Sequence, residues 1–418
     1  MAVVFRAARL LPTSKADLIS DGVVVVESDR ITQVGAFTTL ADRLVNVPIR
    51  DLGDVTLMPG LFDCHVHLQL DPTNHTGGTA ITLPDEELLL LMAKHAKQLL
   101  DAGVTTARDL GSKGQTAIQI RDMISRGEIP GPRMHCANAP LTVPGGHAHG
   151  MGGECQGVDG VVAEVRKRKA EGADVIKVMA TGGFMTANTH PSKARFSQAE
   201  MTAIAEEAHR LGLPVTTHAT GTEGIDRAAE ARFDSIEHCA WIGPSGRAEF
   251  DAGVARKLVV NGVAVCPTMN TACVEHDYFC PWDAREVIVR NLASLREAGV
   301  TLLVGTDAGI PLCPFERYSD GLLVLGDAGY TSRQIIAGAT ENAAAACGLA
   351  NVTGILEAGF AADLVAFAGN PLEDLAAFAK PTFVLALGRE HTLSPIASVG
   401  DQSEIKATIR ETLRLGSK

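Results

Sequence analysis

The chain has 418 residues, is 46% hydrophobic with 42 glycines, and carries a formal net charge of −12. That length suits a large domain plus a smaller module with ample core, while the negative charge and the lack of a basic stripe argue against a nucleic-acid partner. The longest apolar runs, such as Leu88–Met92, fall far short of a membrane span.

Residues 1–57 read as short strands joined by turns (VVFRAARLL, GVVVVESDRITQVG, VPIRDLGDVTL) with no signal-peptide pattern at the front. Similar strands return in ADLVAFAGN and PTFVLALGRE, so 1–57 and 355–400 predict one β-sandwich domain built from both chain ends. Between them, over 58–354, strands and helices alternate. A buried strand over Val55–Asp63 is followed by GVTTARDL, PRMHCANAP, DVIKVMATGG, PVTTHATG, FDSIEHC, VAVCPTMN and TLLVGTDAGI. The expected helices are Asp85–Asp101, Thr116–Arg126, Val158–Glu171, Ser197–Leu211, Gly224–Ala231, Phe250–Asn261, Asp283–Ala298 and Thr331–Cys347. Eight strands each followed by a helix is the pattern of an α/β (β/α)8 TIM barrel. Residues 401–418 read as an amphipathic surface helix. Nine scattered cysteines without a C-x-x-C pair imply reduced thiols in a cytoplasmic protein.

In a barrel, chemistry gathers at the C-terminal ends of the strands. His65 and His67 end the first strand one residue apart, which puts both imidazoles on one side, as a metal chelate requires. His218, His238 and Asp307 end strands five, six and eight. Lys177 lies inside the apolar fourth strand, where an amine must be paired or neutral. Two readings follow: an ion pair with a neighbouring carboxylate such as Asp109, or addition of CO2 to the neutral amine, giving a carbamate with two oxygens able to bridge metals.

The set H-x-H, lysine, histidine, histidine, aspartate, with MPGLFDCHVHL and ATENAAAACGL…GILEAGFAADLVAF, resembles the binuclear amidohydrolase superfamily over nearly the whole chain. The resemblance implies His65, His67 and Asp307 on one divalent ion, His218 and His238 on a second, and carboxylated Lys177 on both. Zinc is the expected ion, although the ligands also suit manganese, cobalt or iron. GGHAHGMGGE, IKVMATGGFMT and THATGTEGI resemble the imidazolonepropionase-related branch, whose members include dipeptidases and enzymes that cleave ochratoxin-type amides. A homo-oligomer, such as an octamer, is implied by the same resemblance.

The expected function is therefore hydrolysis of the C–N amide bond of a carboxylate-bearing, peptide-like small molecule by a metal-bridging hydroxide, with Asp307 carrying the proton. A cyclic-amide hydrolase or ring deaminase is the alternative, and an inactive scaffold a further one that six convergent ligands speak against. His147 is a candidate for catalysis. His147, His149, Phe184, Met185, His190, Thr220 and Tyr318 are candidates for substrate contact; in some dipeptidase relatives a tyrosine takes the place of Thr220. Asn270 and Tyr318 fall in loops where a lid could form, Arg195 or Arg317 could meet a carboxylate, and Asp109 could orient a ligand. His95, His135, His209, His276 and His391 read as structural.

Overall fold

The computed structural model describes residues 2–73, 82–244, 246–247, 250–274, 284–396, 403 and 405–407. Valine-rich sequence suits a strand, and β2 (Ile19–Glu27) buries Val23–Val26 between β1 (Ala2–Leu10) and β3 (Arg30–Ala36). A one-turn α1 (Phe37–Leu40) and a short β4 (Ile49–Asp51) lead to β5 (Val55–Pro59).

From there strands and helices alternate: β6 (Leu61–Val66), α2 (Asp85–Asp101), β7 (Val104–Asp109), α3 (Thr116–Arg126), β8 (Arg133–Cys136), α4 (Val158–Ala170), β9 (Ile176–Met179), α5 (Gln198–Arg210), β10 (Val215–Gly221), α6 (Thr222–Glu230), β11 (Ser235–Gly243), the two-residue β12 (Gly246–Arg247), α7 (Ala252–Asn261) and β13 (Ala264–Cys266). The chain continues through α8 (Arg285–Glu297), α9 (Tyr318–Asp327), α10 (Ser332–Gly338), α11 (Glu341–Ala346), β14 (Leu364–Ala368), β15 (Pro381–Ala386) and β16 (Arg389–His391). Local chemistry sets several boundaries. Ser197 and Glu200 close a capping box at the start of α5, and Thr331 and Gln334 do so for α10.

β6, β7 and β8 pair in parallel, as do β9, β10, β11 and β13. Leu141 bridges to Val178 of β9, Leu302 bridges to Val265 of β13, and Ala308 bridges to Val66 of β6. The ladders and bridges therefore follow one another in a closed circuit. Ile176, Val178, Val215, Ala219 and Ile236 face outward into the helix layer, in one cluster with Val161, Ile204 and Ile225. Their strand neighbours Lys177, Thr216, His218 and Glu237 alternate to the inner side.

A second sheet joins the two chain ends in the order β16-β15-β14-β5-β1-β2-β3, with β4 beside β1. The expected single strand over Val55–Asp63 is two strands in two different sheets. They part at Gly60, where a Cβ would lie 2.0 Å from Thr105 Oγ1; only a glycine lets the chain cross that closely. β5 thus stays in the end sheet as far as Pro59, two residues past the expected boundary.

Two more expectations change. The helix expected over Thr331–Cys347 is α10 and α11, broken at Thr340, whose hydroxyl bonds back to the Ile336 carbonyl (2.6 Å). The stretch expected as a loop after the eighth strand contains α9. The eighth segment makes ladder bonds, Cys64 N to Val304 O and Leu303 N to Val265 O, without forming a regular strand. Of the helix expected over 401–418, Ser403 and residues 405–407 are helical and the rest lies outside the described residues, as does His276. Among the described residues, no helix is long and apolar enough to cross a membrane.

Candidate metal centre

Five imidazoles form an arc at the strand ends. Ring centroids lie 5.1 Å apart for His67 and His65, 5.3 Å for His65 and His238, 4.5 Å for His238 and His218, and 4.7 Å for His218 and His147. Parallel register explains the levels: His218 pairs with Met179 and Thr216 with Lys177, so Lys177 starts two residues deeper. That is roughly 6.6 Å down the strand, a gap that only a long side chain spans.

Two of the ligand-type residues reach the centre through unusual backbone. Alternation along β11 would send Glu237 inward and His238 outward. His238 (φ 69°), followed by Cys239 (φ 47°), turns left-handed and brings its ring inward as well. Asp307 has φ 61°. Non-glycine residues held there cost of order 1–3 kcal/mol each, strain that the surrounding bonds must hold. Thr306, beside Asp307, is fastened on both sides: Asp63 accepts from its N and Oγ1 (3.0 and 2.5 Å), and its carbonyl accepts from Asn270 Nδ2 (2.8 Å).

The donor set fits a cation. His65 Nδ1 lies 2.9 Å from Glu237 Oε2 and His67 Nδ1 3.4 Å from the Gly111 carbonyl, both pure acceptors. Each Nδ1 therefore carries the proton and each Nε2 a lone pair. The two Nε2 atoms lie 3.2 Å apart and 3.2–3.3 Å from Asp307 Oδ1. Three lone-pair atoms converge with no proton among them, which is what a bound cation relieves. Ligand atoms of His65, His238 and Asp307 lie within 4.8 Å of one another. The expected pairing placed His238 with His218 instead, and its ring is next to both partners. Burial pushes the His65, His218 and His238 imidazoles well below the usual histidine range.

Lys177 is 1% exposed, and its Nζ has no hydrogen-bond partner among the described residues. Burial lowers its amine to about 8 against the opposing pull of Glu237 and Asp307. Asp109 is not its partner. That carboxylate accepts from Leu68 N (2.9 Å), Ser112 Oγ (2.8 Å) and Gly111 N (3.3 Å), fixing the turns beyond β6 and β7.

The other candidates separate. His147 reaches the arc; its Nδ1 meets Thr186 Oγ1 (2.9 Å), its ring lies against Gly183, and burial lowers it to about 4. A neutral His147 is a hydrogen-bonding group and not a cation. His149 Nδ1 bonds to the Gly146 carbonyl (2.9 Å). Phe184 is half-buried and Met185 exposed on the loop 180–195. His190 is exposed and accepts from Ser192 Oγ (2.8 Å). Thr220 is buried, and its hydroxyl donates to the Pro191 carbonyl (2.7 Å) beside Thr181 Oγ1 (3.0 Å), so it ties down this loop. Tyr318 is not brought to the arc: 1% exposed, it donates to the Phe62 carbonyl (2.8 Å) from α9. Arg317 pairs with Asp320 (3.0 Å), and Arg195 is exposed.

Sequence reasoning missed Glu237 and Arg108. Both are buried, and Arg108 Nη2 donates to Glu237 Oε1 (2.7 Å). The available signal was IEH, a carboxylate in an apolar strand beside a ligand histidine.

A closed circuit of parallel strands with convergent histidines and an aspartate above a buried lysine offers the donor set of a metal-dependent hydrolase. The Amidohydrolase family model matches residues 56–410, and the chain belongs to that family. It is 29% identical to ochratoxinase from Aspergillus niger over 420 residues, covering 90% of this chain and 83% of that protein. It is 27% identical to imidazolonepropionase from Cupriavidus metallidurans over 405 residues, covering 87% and 88%. Among solved structures, a Xaa-Pro dipeptidase with bound methionine superposes with a TM-score of 0.82 at 28% identity, covering 93% of this chain and 99% of that one. The A. niger ochratoxinase structure gives 0.80 at 26% identity, covering 95% and 96%. These likenesses imply a TIM barrel plus an extra domain and bear out the imidazolonepropionase-related branch.

Proposed function

We propose that this amidohydrolase cleaves the C–N bond of a peptide-like amide whose leaving amine bears a carboxylate: a dipeptide, an N-acyl amino acid or an ochratoxin-type amide. The convergence of His65 Nε2, His67 Nε2 and Asp307 Oδ1 without an intervening proton carries the reading. His65, His67 and Asp307 would hold one divalent ion, His218 and His238 a second, and Lys177, carboxylated by CO2, would touch both. The unpartnered amine of Lys177, shifted towards neutrality, supports that modification. Such ions supply Lewis acidity and an acidified water. Asp307 takes a proton from the nucleophile and returns it to the leaving amine. His147, neutral and beside His218, donates to the substrate carbonyl. The half-buried Phe184 offers an apolar wall on the loop held by Thr220. The closed strand circuit and the two-ended sheet support a (β/α)8 barrel, 58–354, with a β domain from 1–57 and 355–400.

The likeness to imidazolonepropionase favours a second reading, a cyclic amide. A library of dipeptides and N-acyl amino acids separates the two. The best substrate should lose at least about tenfold in kcat/KM when its carboxylate is converted to an amide, because contacts made to that charge are lost. Equal values for acid and amide would move the assignment to ring substrates.

A further inference from the structure

Beneath the imidazole arc lies a buried ion pair that the proposed chemistry does not use. Glu237 is fully buried in β11 and Arg108 is 1% exposed in β7. The guanidinium donates from Nε to the Cys64 carbonyl (2.7 Å), from Nη1 to Ser235 Oγ (3.2 Å) and from Nη2 to Glu237 Oε1 (2.7 Å). Thr216 Oγ1 also donates to Oε1, and Glu237 Oε2 is left for His65 Nδ1 at 2.9 Å. One acidic side chain therefore gathers strands β7, β10 and β11 around a single imidazole of β6. A buried ion pair is weak evidence for stability, since replacing both partners by apolar groups is often neutral. Its direct bond to a metal-ligating ring points to another role.

We propose that Glu237, charge-balanced by Arg108, is a positioning residue that fixes His65 with Nε2 free and strengthens metal binding in one half of a binuclear centre. The other imidazoles mark the contrast. His67 Nδ1 faces a backbone carbonyl, His218 Nε2 faces the Gly182 carbonyl (3.0 Å), and His238 Nδ1 meets Thr268 Oγ1 (2.8 Å). Among these four ligand candidates, His65 alone has a carboxylate on its second nitrogen. A carboxylate there orients the ring and makes the ligating nitrogen more basic, whereas neutral acceptors do so less. The Arg108 bond to the Cys64 carbonyl holds the backbone just before His65, so the pair sets both ring and strand. The ion held by His65, His67 and Asp307 is then the last to leave, and the ion at His218 and His238 the first.

This inference rests on the two-metal reading, and the test separates the two. Apo-protein prepared by chelation is titrated with Zn2+ in bicarbonate buffer against a chromophoric chelator, which counts the equivalents and gives a Kd for each. Wild type should take up two equivalents of unequal affinity; a firm single equivalent overturns the binuclear reading itself. Glu237→Gln keeps size and an acceptor oxygen but removes the charge. It should weaken the tighter equivalent about 10–100-fold, with the weaker one within twofold. Because Glu237→Gln leaves Arg108 unpaired, the neutral double variant Arg108→Gln/Glu237→Gln is measured beside it and should show the same selective loss. Thr268→Val, on the other half, should leave the tighter equivalent unchanged. Wild-type affinities in the double variant, or equal weakening of both equivalents, would overturn the assignment.

Discussion

At the scale of single residues, the centre depends on groups whose ordinary state the protein forbids. Lys177 lies where an ammonium loses its water and gains no hydrogen bond. The proposed carbamate would convert that liability into a ligand. Lys177→Ala should lose most bound metal, measured by elemental analysis, and at least about 10²-fold in kcat, with partial recovery in added short-chain carboxylic acids. Normal metal content and rate in that variant would exclude the carbamate. The histidines and the aspartate could be picked out from sequence because they follow or end apolar strand-like runs, and Lys177 because an amine inside such a run is conspicuous. Glu237 was not picked out. It occupies the inward position that alternation predicts, but the neighbouring histidine had claimed that role, and only the left-handed turn at His238 lets both face inward. Tyr318 was misjudged for the opposite reason: an aromatic after the eighth strand resembles a lid residue, and nothing local shows that α9 buries it.

At the scale of elements, the loop 180–195 is held to the site at several points. Its ends meet through Arg195 N and the Ala180 carbonyl (2.8 Å), and Thr220 fastens it at Pro191. Gly183 lets it lie flat on His147, since a Cβ there would come within 2.4 Å of His147 Nε2. Gly183→Ala should displace the ring and cost up to about 10²-fold in kcat/KM, with metal content unchanged. Rates within twofold of wild type would show that His147 takes no part in turnover. Most of the helices themselves were readable as segments alternating with the strand-like runs. Where they failed, at Thr340, a side chain competed for the backbone in a way that composition does not reveal.

At the scale of the whole molecule, the proposed ligands come from β6, β9, β10 and β11 and from segment 301–308, so bound metal would tie most of the circuit together. Ligands that bind only the folded state stabilise it by about 2.7 kcal/mol at a hundredfold excess over Kd. Chelation should therefore lower the Tm by several degrees, and stoichiometric Zn2+ should restore it; an unchanged Tm would mean that the centre forms after, and independently of, the strand ring. That two-ended sheet was expected from the strand-like sequence at both termini. Its crossing point was not, because a strand that changes sheets at Gly60 has the same apolar pattern as one that does not.

The same sheet sets an order of events during synthesis. β5 leaves the ribosome early, but its antiparallel partner β14 follows roughly 300 residues later. At about 5–20 residues per second, one side of β5 waits on the order of 15–60 s for its neighbour. Over that interval Val55, Leu57 and Met58, all buried in the finished protein, sit on an unsealed strand margin open to pairing with other nascent chains. Translation speed and chaperone supply thus bear on the yield of active protein through a strand that holds no ligand at all.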